Sequence, residues 1–202
     1  METLHEYLSV LASSSPVPGG GSAAMFVASM GAALLSMVSR ITAQSAKSAE
    51  QKNAAERLAS EGDALREKFL AARSLDETAF QSVVTAQKLP KENEREREAR
   101  STALQAALQQ AADVPLRAAA NSVTLLEHID RAIEVANSGL RSDLGCAGEF
   151  ASAALAACAY MVRINHKYMS DSATIAPQSA QLKDLEQRGA LLIQKIRLQL
   201  AL

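Results

Sequence analysis

The sequence has no tryptophan, and aromatic residues of any kind make up only 3% of its 202 residues. Such a chain offers little planar surface on which nucleic-acid bases can stack. It also lacks an excess of charge of either sign, because the formal net charge is −1. Without a basic excess there is no general electrostatic attraction to nucleic acid or to an anionic membrane. We therefore expect neither of these as a partner.

Cysteine is nearly absent, and the two that occur, Cys146 and Cys158, fall on one predicted helix. At ~1.5 Å per residue they lie roughly 18 Å apart, too far to form a disulfide. The three histidines are scattered, and no Cys-x-x-Cys or His-Glu-x-x-His pattern occurs, so we predict no metal site and no bound cofactor. The reduced cysteines, with the acidic Glu2 and Glu6 where a basic leader would begin, favour a cytoplasmic location.

One uncharged stretch, residues 7–39, is long enough to suggest a membrane span. Pro16, Pro18 and three glycines interrupt it, and its continuous apolar part, residues 23–38, is shorter than the ~20 residues that a spanning helix needs. We interpret this part as the buried helix of a soluble protein.

What the sequence does contain is alanine, leucine and other residues of close-packed helices, within a hydrophobic content of 48%. No segment has the alternation typical of a strand. Residues 1–202 are therefore predicted to form a single all-α domain, a bundle of long helices. Two Ala-rich segments, residues 22–42 and 144–169, are apolar nearly all round and are predicted to pack side by side at its centre.

Turn and capping residues predict the remaining boundaries. A short first helix ends at the serines 13–15, and a long third helix runs from about residue 47 to Pro90. The fourth helix opens on the charged residues 91–100, has a kink or brief break at Pro115, and ends near residues 137–139. Asp143, with the serine before it, reads as the cap of the fifth helix. A loop that includes Pro177 precedes the last amphipathic helix.

The most informative segment is the run Pro-Val-Pro-Gly-Gly-Gly-Ser at residues 16–22. Its glycines let a ligand approach the main chain, and Ser22 is positioned as the N-cap of the helix that follows. The first amides of that helix have no partners of their own and favour a carboxylate or phosphate. The alternative is a flexible connector before a buried helix. The spacing matches neither dinucleotide-binding nor P-loop patterns.

Several polar residues stand at interruptions of otherwise apolar helices. A carboxylate that faces a partly dry pocket can act as a general acid or base, whereas a capping carboxylate stays ionised. Those two roles compete for Asp143, and Asp76 could equally face solvent. The whole set comprises Asp76, Lys88, Asn137, Asp143, Arg163 and Asn165.

Six short segments occur in one order along nearly the whole chain: residues 16–22, Asp76 with Ala79 and Phe80, and residues 88–91, 114–116, 142–143 and 162–165. This ordered set resembles the cyclodeaminase part of the formiminotransferase-cyclodeaminase family, which also contains stand-alone methenyltetrahydrofolate cyclohydrolases. The resemblance implies an all-helical homodimer with a folate site where the Gly-rich loop meets the subunit interface.

The chemistry that the resemblance implies is either ring closure of 5-formiminotetrahydrofolate with loss of ammonia, or the interconversion of 5,10-methenyl- and 10-formyltetrahydrofolate. The substrate is a tetrahydrofolate derivative. On this resemblance Asp76, Asp143 and Lys88 are the candidate catalytic residues. The candidate ligand-binding residues are Pro18, Gly19, Gly20, Gly21, Ser22, Asn137, Ser142, Arg163 and Asn165.

The chain departs from the family pattern at two positions. Met161 and Gly139 stand where an asparagine is common in the family. Each change removes hydrogen-bonding groups, and one such bond is typically worth ~0.5–1.5 kcal/mol. The alternative to an enzyme is therefore a catalytically inactive helical dimer that binds a folate-like anion.

Overall fold

In a computed structural model, which describes residues 3–200, the chain forms six α-helices and one short 3₁₀ turn. No strand occurs in that range, so the predicted all-α fold is confirmed. Glu2, used above in the argument about location, lies outside it. The helices are α1 (Leu4–Leu11), α2 (Gly20–Gln44), α3 (Ala49–Gln87), α4 (Glu94–Val135), α5 (Arg141–Tyr168) and α6 (Ser172–Gln199).

Helix α2 lies at the centre, as its small residues predicted, and packs against α3, α4 and α5. Met25, Leu35 and Val38 on this helix are fully buried. At Gly31 a Cβ would lie 3.0 Å from the carbonyl oxygen of Ala147 on α5, a tighter contact than most side chains make, so the two backbones approach closely here. Close approach of this kind buries a continuous apolar core without large side chains.

Both α2 and the 31-residue segment from the 3₁₀ turn through α5 are long and apolar enough to cross a membrane by length and composition alone. Within the bundle 61% of the apolar window of α2 is buried against other helices. Its hydrophobicity is therefore that of a core helix.

Two predicted helix starts are wrong. The N-cap of α2 is Gly19, not Ser22, and Ser22 lies inside the first turn with its side chain fully buried. Helix α5 begins after Leu140, so Asp143 lies in the first turn and caps nothing. At the observed N-caps, Gly19 and Leu140, no side chain accepts a hydrogen bond from the helix amides. The side chains that were predicted to do so, those of Ser22 and Asp143, lie further along their helices.

Two prolines lie inside helices. Pro115 does not break α4, which is continuous from Glu94 to Val135, and Pro177 belongs to α6 and not to the loop before it. Asp171 caps α6 by accepting a hydrogen bond from the Ala173 amide. A proline within a helix has no N–H, so the carbonyl four residues earlier loses its usual hydrogen bond. Packing against neighbouring helices keeps the helix intact in spite of this loss. After α4 the chain passes through a 3₁₀ turn, Ser138–Leu140.

Candidate active site

A cavity of about 400 Å³ opens between the N-terminus of α2 and three other helices. One face of α3 lines it with Asp76, Phe80, Val83 and Gln87, which recur at helical spacing. The C-terminal part of α5 also lines the cavity, and α4 contributes Leu104 and Leu108. The residues of α5 in the lining are Met161, Ile164, Asn165 and Tyr168.

Asp76 is the acidic residue of this lining. Burial raises the pKa of its carboxyl from an ordinary 3.8 to about 6, with a smaller rise from the neighbouring charge of Glu77. The backbone N–H of Ser22 donates a hydrogen bond to the carboxylate and lowers the pKa, but by less than burial raises it. A carboxyl group with this pKa exchanges a proton readily near neutral pH.

The glycine loop lies directly against Asp76. A Cβ built on Gly21 would lie 2.5 Å from both carboxylate oxygens, a separation that real contacts never show. At Gly20 the nearest atom would be the Met161 Cε, at an ordinary 3.6 Å. Gly19, Gly20 and Gly21 all line the cavity, whereas Pro18 does not. The N-cap of α2, Gly19, has no side chain that could accept a hydrogen bond from the first amides of the helix. The Asp76 carboxylate accepts one from the Ser22 amide instead, so it is the anion at the N-terminus of α2.

Behind the loop, Ser22 links three helices. Its hydroxyl donates to Glu77 Oε1 at 2.7 Å, and its Oγ lies 3.0 Å from the Tyr7 hydroxyl of α1. Because the single proton of Ser22 goes to Glu77, Tyr7 donates to Ser22. The Tyr7 ring stacks on Phe26 with the ring centres 5.1 Å apart.

The side chain of Asn165 on α5 is held in place by a main-chain carbonyl of α4. Its Nδ2 donates to the carbonyl of Ala111 at 2.9 Å and to that of Met161 at 2.8 Å. Ala111 lies four residues before Pro115, and a proline has no N–H to give to that carbonyl. Asn165 takes the place of the missing donor. With both amide protons used, its Oδ1 remains the acceptor available to a ligand.

Apart from Asp76, Asn165 and Gln87 the lining side chains are mostly apolar, and they include two aromatic residues, Phe80 and Tyr168. A volume of about 400 Å³ is within the usual ~300–1,000 Å³ of small-molecule sites. In the part of the chain that the structure describes, no three histidine, cysteine or acidic residues lie close enough to hold a metal ion. The arrangement can therefore bind a flat, mostly apolar ligand and move a proton at Asp76.

Known proteins resemble this chain in sequence and in fold. The sequence profile of the formiminotransferase-cyclodeaminase family matches residues 3–184. The chain belongs to this family. It is 35% identical over 191 residues to the methenyltetrahydrofolate cyclohydrolase of Methylorubrum extorquens, and the match covers 94% of this chain and 92% of that one.

The chain is also similar to a longer curated protein and to a solved structure. The formimidoyltransferase-cyclodeaminase of Sus scrofa is 31% identical over 199 residues, which are 98% of this chain but only 36% of that longer protein. The crystal structure of formiminotetrahydrofolate cyclodeaminase from Thermotoga maritima superposes with a TM-score of 0.90 at 26% identity, and the match covers 98% of this chain and 96% of that one. The fold of the family is therefore shared over nearly the whole chain.

The structure does not bring all the residues suggested by the family resemblance together. Asp143 and Ser142 lie at the start of α5, and the cavity is lined by the other end of that helix. From Asp143 to Met161 the distance along the helix axis is ~27 Å. Within one chain, Asp76 and Asp143 therefore cannot act on the same atom.

Three more of these residues lie outside the cavity lining. Asn137 donates to the Ser45 hydroxyl at 2.8 Å, at the opposite end of the bundle. Arg163 forms an ion pair of 2.6 Å with Glu186 on α6. Lys88 is the exposed C-terminal cap of α3, one residue beyond the lining. Their roles remain predictions.

Sequence reasoning missed several residues of the site. Gln87 and Tyr168 line the cavity, and Glu77 and Tyr7 support the loop behind it. A signal was available for Gln87, because it continues the helical spacing of Asp76 across α3. Nothing in the sequence pattern indicated Tyr7 or Glu77, because each contacts Ser22 from a different helix of the bundle.

Proposed function

We propose that this protein is a tetrahydrofolate one-carbon enzyme in which Asp76 transfers protons at the one-carbon unit. The carboxyl of Asp76, whose pKa is raised to about 6 at the edge of an apolar cavity, carries this proposal. Both reactions named by its relatives involve a carbon between two nitrogens, and both pass through a tetrahedral adduct. Each needs one group that accepts and then returns a proton.

The cyclohydrolase reaction is the first candidate, supported by the relative that matches at 35% identity over nearly its full length. The Asp76 carboxylate accepts a proton from water as the water oxygen attacks the methenyl carbon. The carboxyl then gives that proton to N5 as the bond from N5 to carbon breaks, and the hydroxyl of the adduct loses its proton to solvent. The product is 10-formyltetrahydrofolate plus one proton, and the negative Asp76 also stabilises the cationic substrate.

The cyclodeaminase reaction is the second candidate, supported by the structural match to the Thermotoga maritima enzyme. Here N10 of the protonated formimino substrate attacks the formimino carbon. Asp76 takes the N10 proton and passes it to the amino group, which leaves as ammonia, and the 5,10-methenyl cation remains. One carboxyl in one position can serve both reactions.

The cavity also supports a binding mode. The faces of Phe80 and Tyr168 and the apolar wall suit a flat pterin ring, and the free Oδ1 of Asn165 can accept a hydrogen bond from a ring N–H. Gly20 and Gly21 let the ligand approach the main chain beside Asp76.

The test is turnover by the purified protein. We expect loss of 5,10-methenyltetrahydrofolate absorbance on addition of protein, or its appearance from the formimino substrate. Asp76→Asn should lower kcat by about 10²–10⁴-fold, the usual contribution of a general acid or base. Asp184→Asn, at a side chain that is 63% exposed on α6, is the matched control. Activity retained by Asp76→Asn would reject this role, and folate binding measured by calorimetry without turnover would favour the inactive binding module.

We further propose a cytoplasmic homodimer, as the family resemblance implies. Large apolar side chains that are more than half exposed, such as Leu4, Tyr160 and Leu191, support an interface with a second copy. A second copy could also bring Asp143 or Lys88 to the cavity, which one chain alone does not. Sedimentation equilibrium should give twice the monomer mass, and a monomer at assay concentration would refute this proposal.

A further inference from the structure

Two consecutive acidic residues of α3 hold the same residue of α2. Asp76 accepts the backbone N–H of Ser22, and Glu77 accepts the Ser22 hydroxyl at 2.7 Å. Tyr7, which is 3% exposed, donates to the same hydroxyl oxygen from α1. Glu77 does not line the cavity, so it does not touch a ligand there. Its position behind the glycine loop is fixed by a fully buried partner.

We propose that Glu77 is a positioning residue for Asp76. Through Ser22 it locks the first turn of α2 against the proton-transferring carboxylate and keeps a second negative charge beside it. This inference rests on the proposed function of Asp76. The chain of donors runs in one direction, from Tyr7 to Ser22 to Glu77, and ends on a carboxylate oxygen of Glu77, which accepts. A charged end point strengthens each hydrogen bond in such a chain.

The charge of Glu77 acts on Asp76 in a known direction. It raises the pKa of the Asp76 carboxyl, in addition to the larger effect of burial. Arg73 on α3 stands over the Tyr7 ring at 5.0 Å, and the charge of Asp76 acts on Cys158 of α5. Burial raises the pKa of Cys158 to about 12, so this thiol stays protonated in the working range. Glu77 is therefore the neighbour whose charge opposes ionisation of Asp76.

The decisive variant is Glu77→Gln, which keeps an oxygen to accept the Ser22 hydroxyl but removes the charge. We expect the acid-side midpoint of the kcat profile to move to lower pH, so that the rate at about pH 5 rises relative to the rate at about pH 8. The matched control is Glu56→Gln, on the same helix about 30 Å away along its axis. In Glu56→Gln the acid-side midpoint of the kcat profile should equal that of the unmodified protein.

A second measurement does not depend on turnover. In protein labelled with ¹³C at the aspartate carboxyls, the Asp76 signal is assigned by its loss in Asp76→Asn, and its titration midpoint is followed by NMR. Glu77→Gln should lower this midpoint. Ser22→Ala, which releases Glu77 from its tether, should lower it as well. The double variant should match Glu77→Gln alone, because without the charge the tether no longer affects the proton of Asp76.

The outcomes separate this inference from the proposed function. An unchanged Asp76 midpoint in Glu77→Gln would overturn the role of Glu77, even if Asp76→Asn is inactive. A protein that turns over neither folate substrate would refute the proposed function, and the NMR titration would still decide whether Glu77 controls the proton of Asp76. If Glu77→Gln does not fold, Ser22→Ala decides, and an unchanged midpoint there refutes the inference.

Discussion

Replacement of Asp76 by asparagine should stabilise this protein at alkaline pH while it removes the proposed activity. The folded state holds the Asp76 proton more tightly than the unfolded chain does, because burial raises the pKa of the carboxyl from 3.8 to about 6. Between those two values the folded state binds more protons, so the free energy of unfolding falls as pH rises. The stabilising contribution is complete below about pH 4 and is lost as pH rises through about 6.

The magnitude follows from the shift. At 1.36 kcal/mol per pKa unit, a rise from 3.8 to about 6 corresponds to about 3 kcal/mol of destabilisation once Asp76 is ionised. Asp76 keeps part of its surface in solvent, so we expect about 1–3 kcal/mol. Asparagine has no charge to desolvate, and its carbonyl oxygen can still accept the Ser22 amide. The free energy of unfolding of Asp76→Asn should therefore exceed that of the unmodified protein by about 1–3 kcal/mol at about pH 8, and the two should be equal below about pH 4.

Urea denaturation at a series of pH values, at one protein concentration, measures this difference directly. For a chain of this length each kcal/mol corresponds to about 2–4 °C in Tm, so thermal melting is a second readout. Asp184→Asn should follow the pH dependence of the unmodified protein. If Asp76→Asn were less stable at about pH 8, or if its advantage did not depend on pH, the reasoning about a buried carboxyl would be wrong.

Other substitutions test the packing around the site. Gly21→Ala should lower kcat by about 10²-fold, because its Cβ would lie 2.5 Å from the site carboxylate, whereas Gly20→Ala, with an ordinary 3.6 Å contact, should stay within a few-fold in the same assay. Leu35→Ala, at a fully buried position of α2, should reduce the free energy of unfolding by about 2–5 kcal/mol in urea. Pro115→Ala restores an N–H inside α4 that competes with Asn165 for the Ala111 carbonyl. The KM for folate should therefore rise ~5-fold without loss of Tm, and an unchanged KM would contradict a link between Pro115 and Asn165.

The helical fold was predictable because its signals are local. Apolar periodicity and small residues identified the central helix α2, and its packing against α5 is confirmed at Gly31. The errors occur where tertiary contacts override local preference. Ser22 has the side chain of an N-cap, but its hydroxyl is used by Glu77, and Gly19 caps the helix instead. At Pro115 the sequence predicted a kink or a brief break, and α4 is continuous through that residue.

The candidate site was predictable only in part, for the same reason. The glycine loop, Asp76 and Asn165 carry local signals and lie in one cavity. Asp143 was a catalytic candidate on the family resemblance, but neither the resemblance nor its place near a helix start reveals which end of α5 faces the cavity. That information depends on how α5 packs against α3 and α4, and the pattern of a single helix does not contain it.

Two polar side chains of the cavity, those of Asp76 and Asn165, are held in place for the same physical reason. Asp76 is held by an amide of the first turn of α2, which has no partner within its own helix. Asn165 is held by the carbonyl that Pro115 leaves without a donor. In an apolar environment an unpaired main-chain group is costly, so each one fixes the side chain that satisfies it. The glycine loop before α2 and the proline inside α4 are therefore what hold a carboxylate and an amide in place around one cavity.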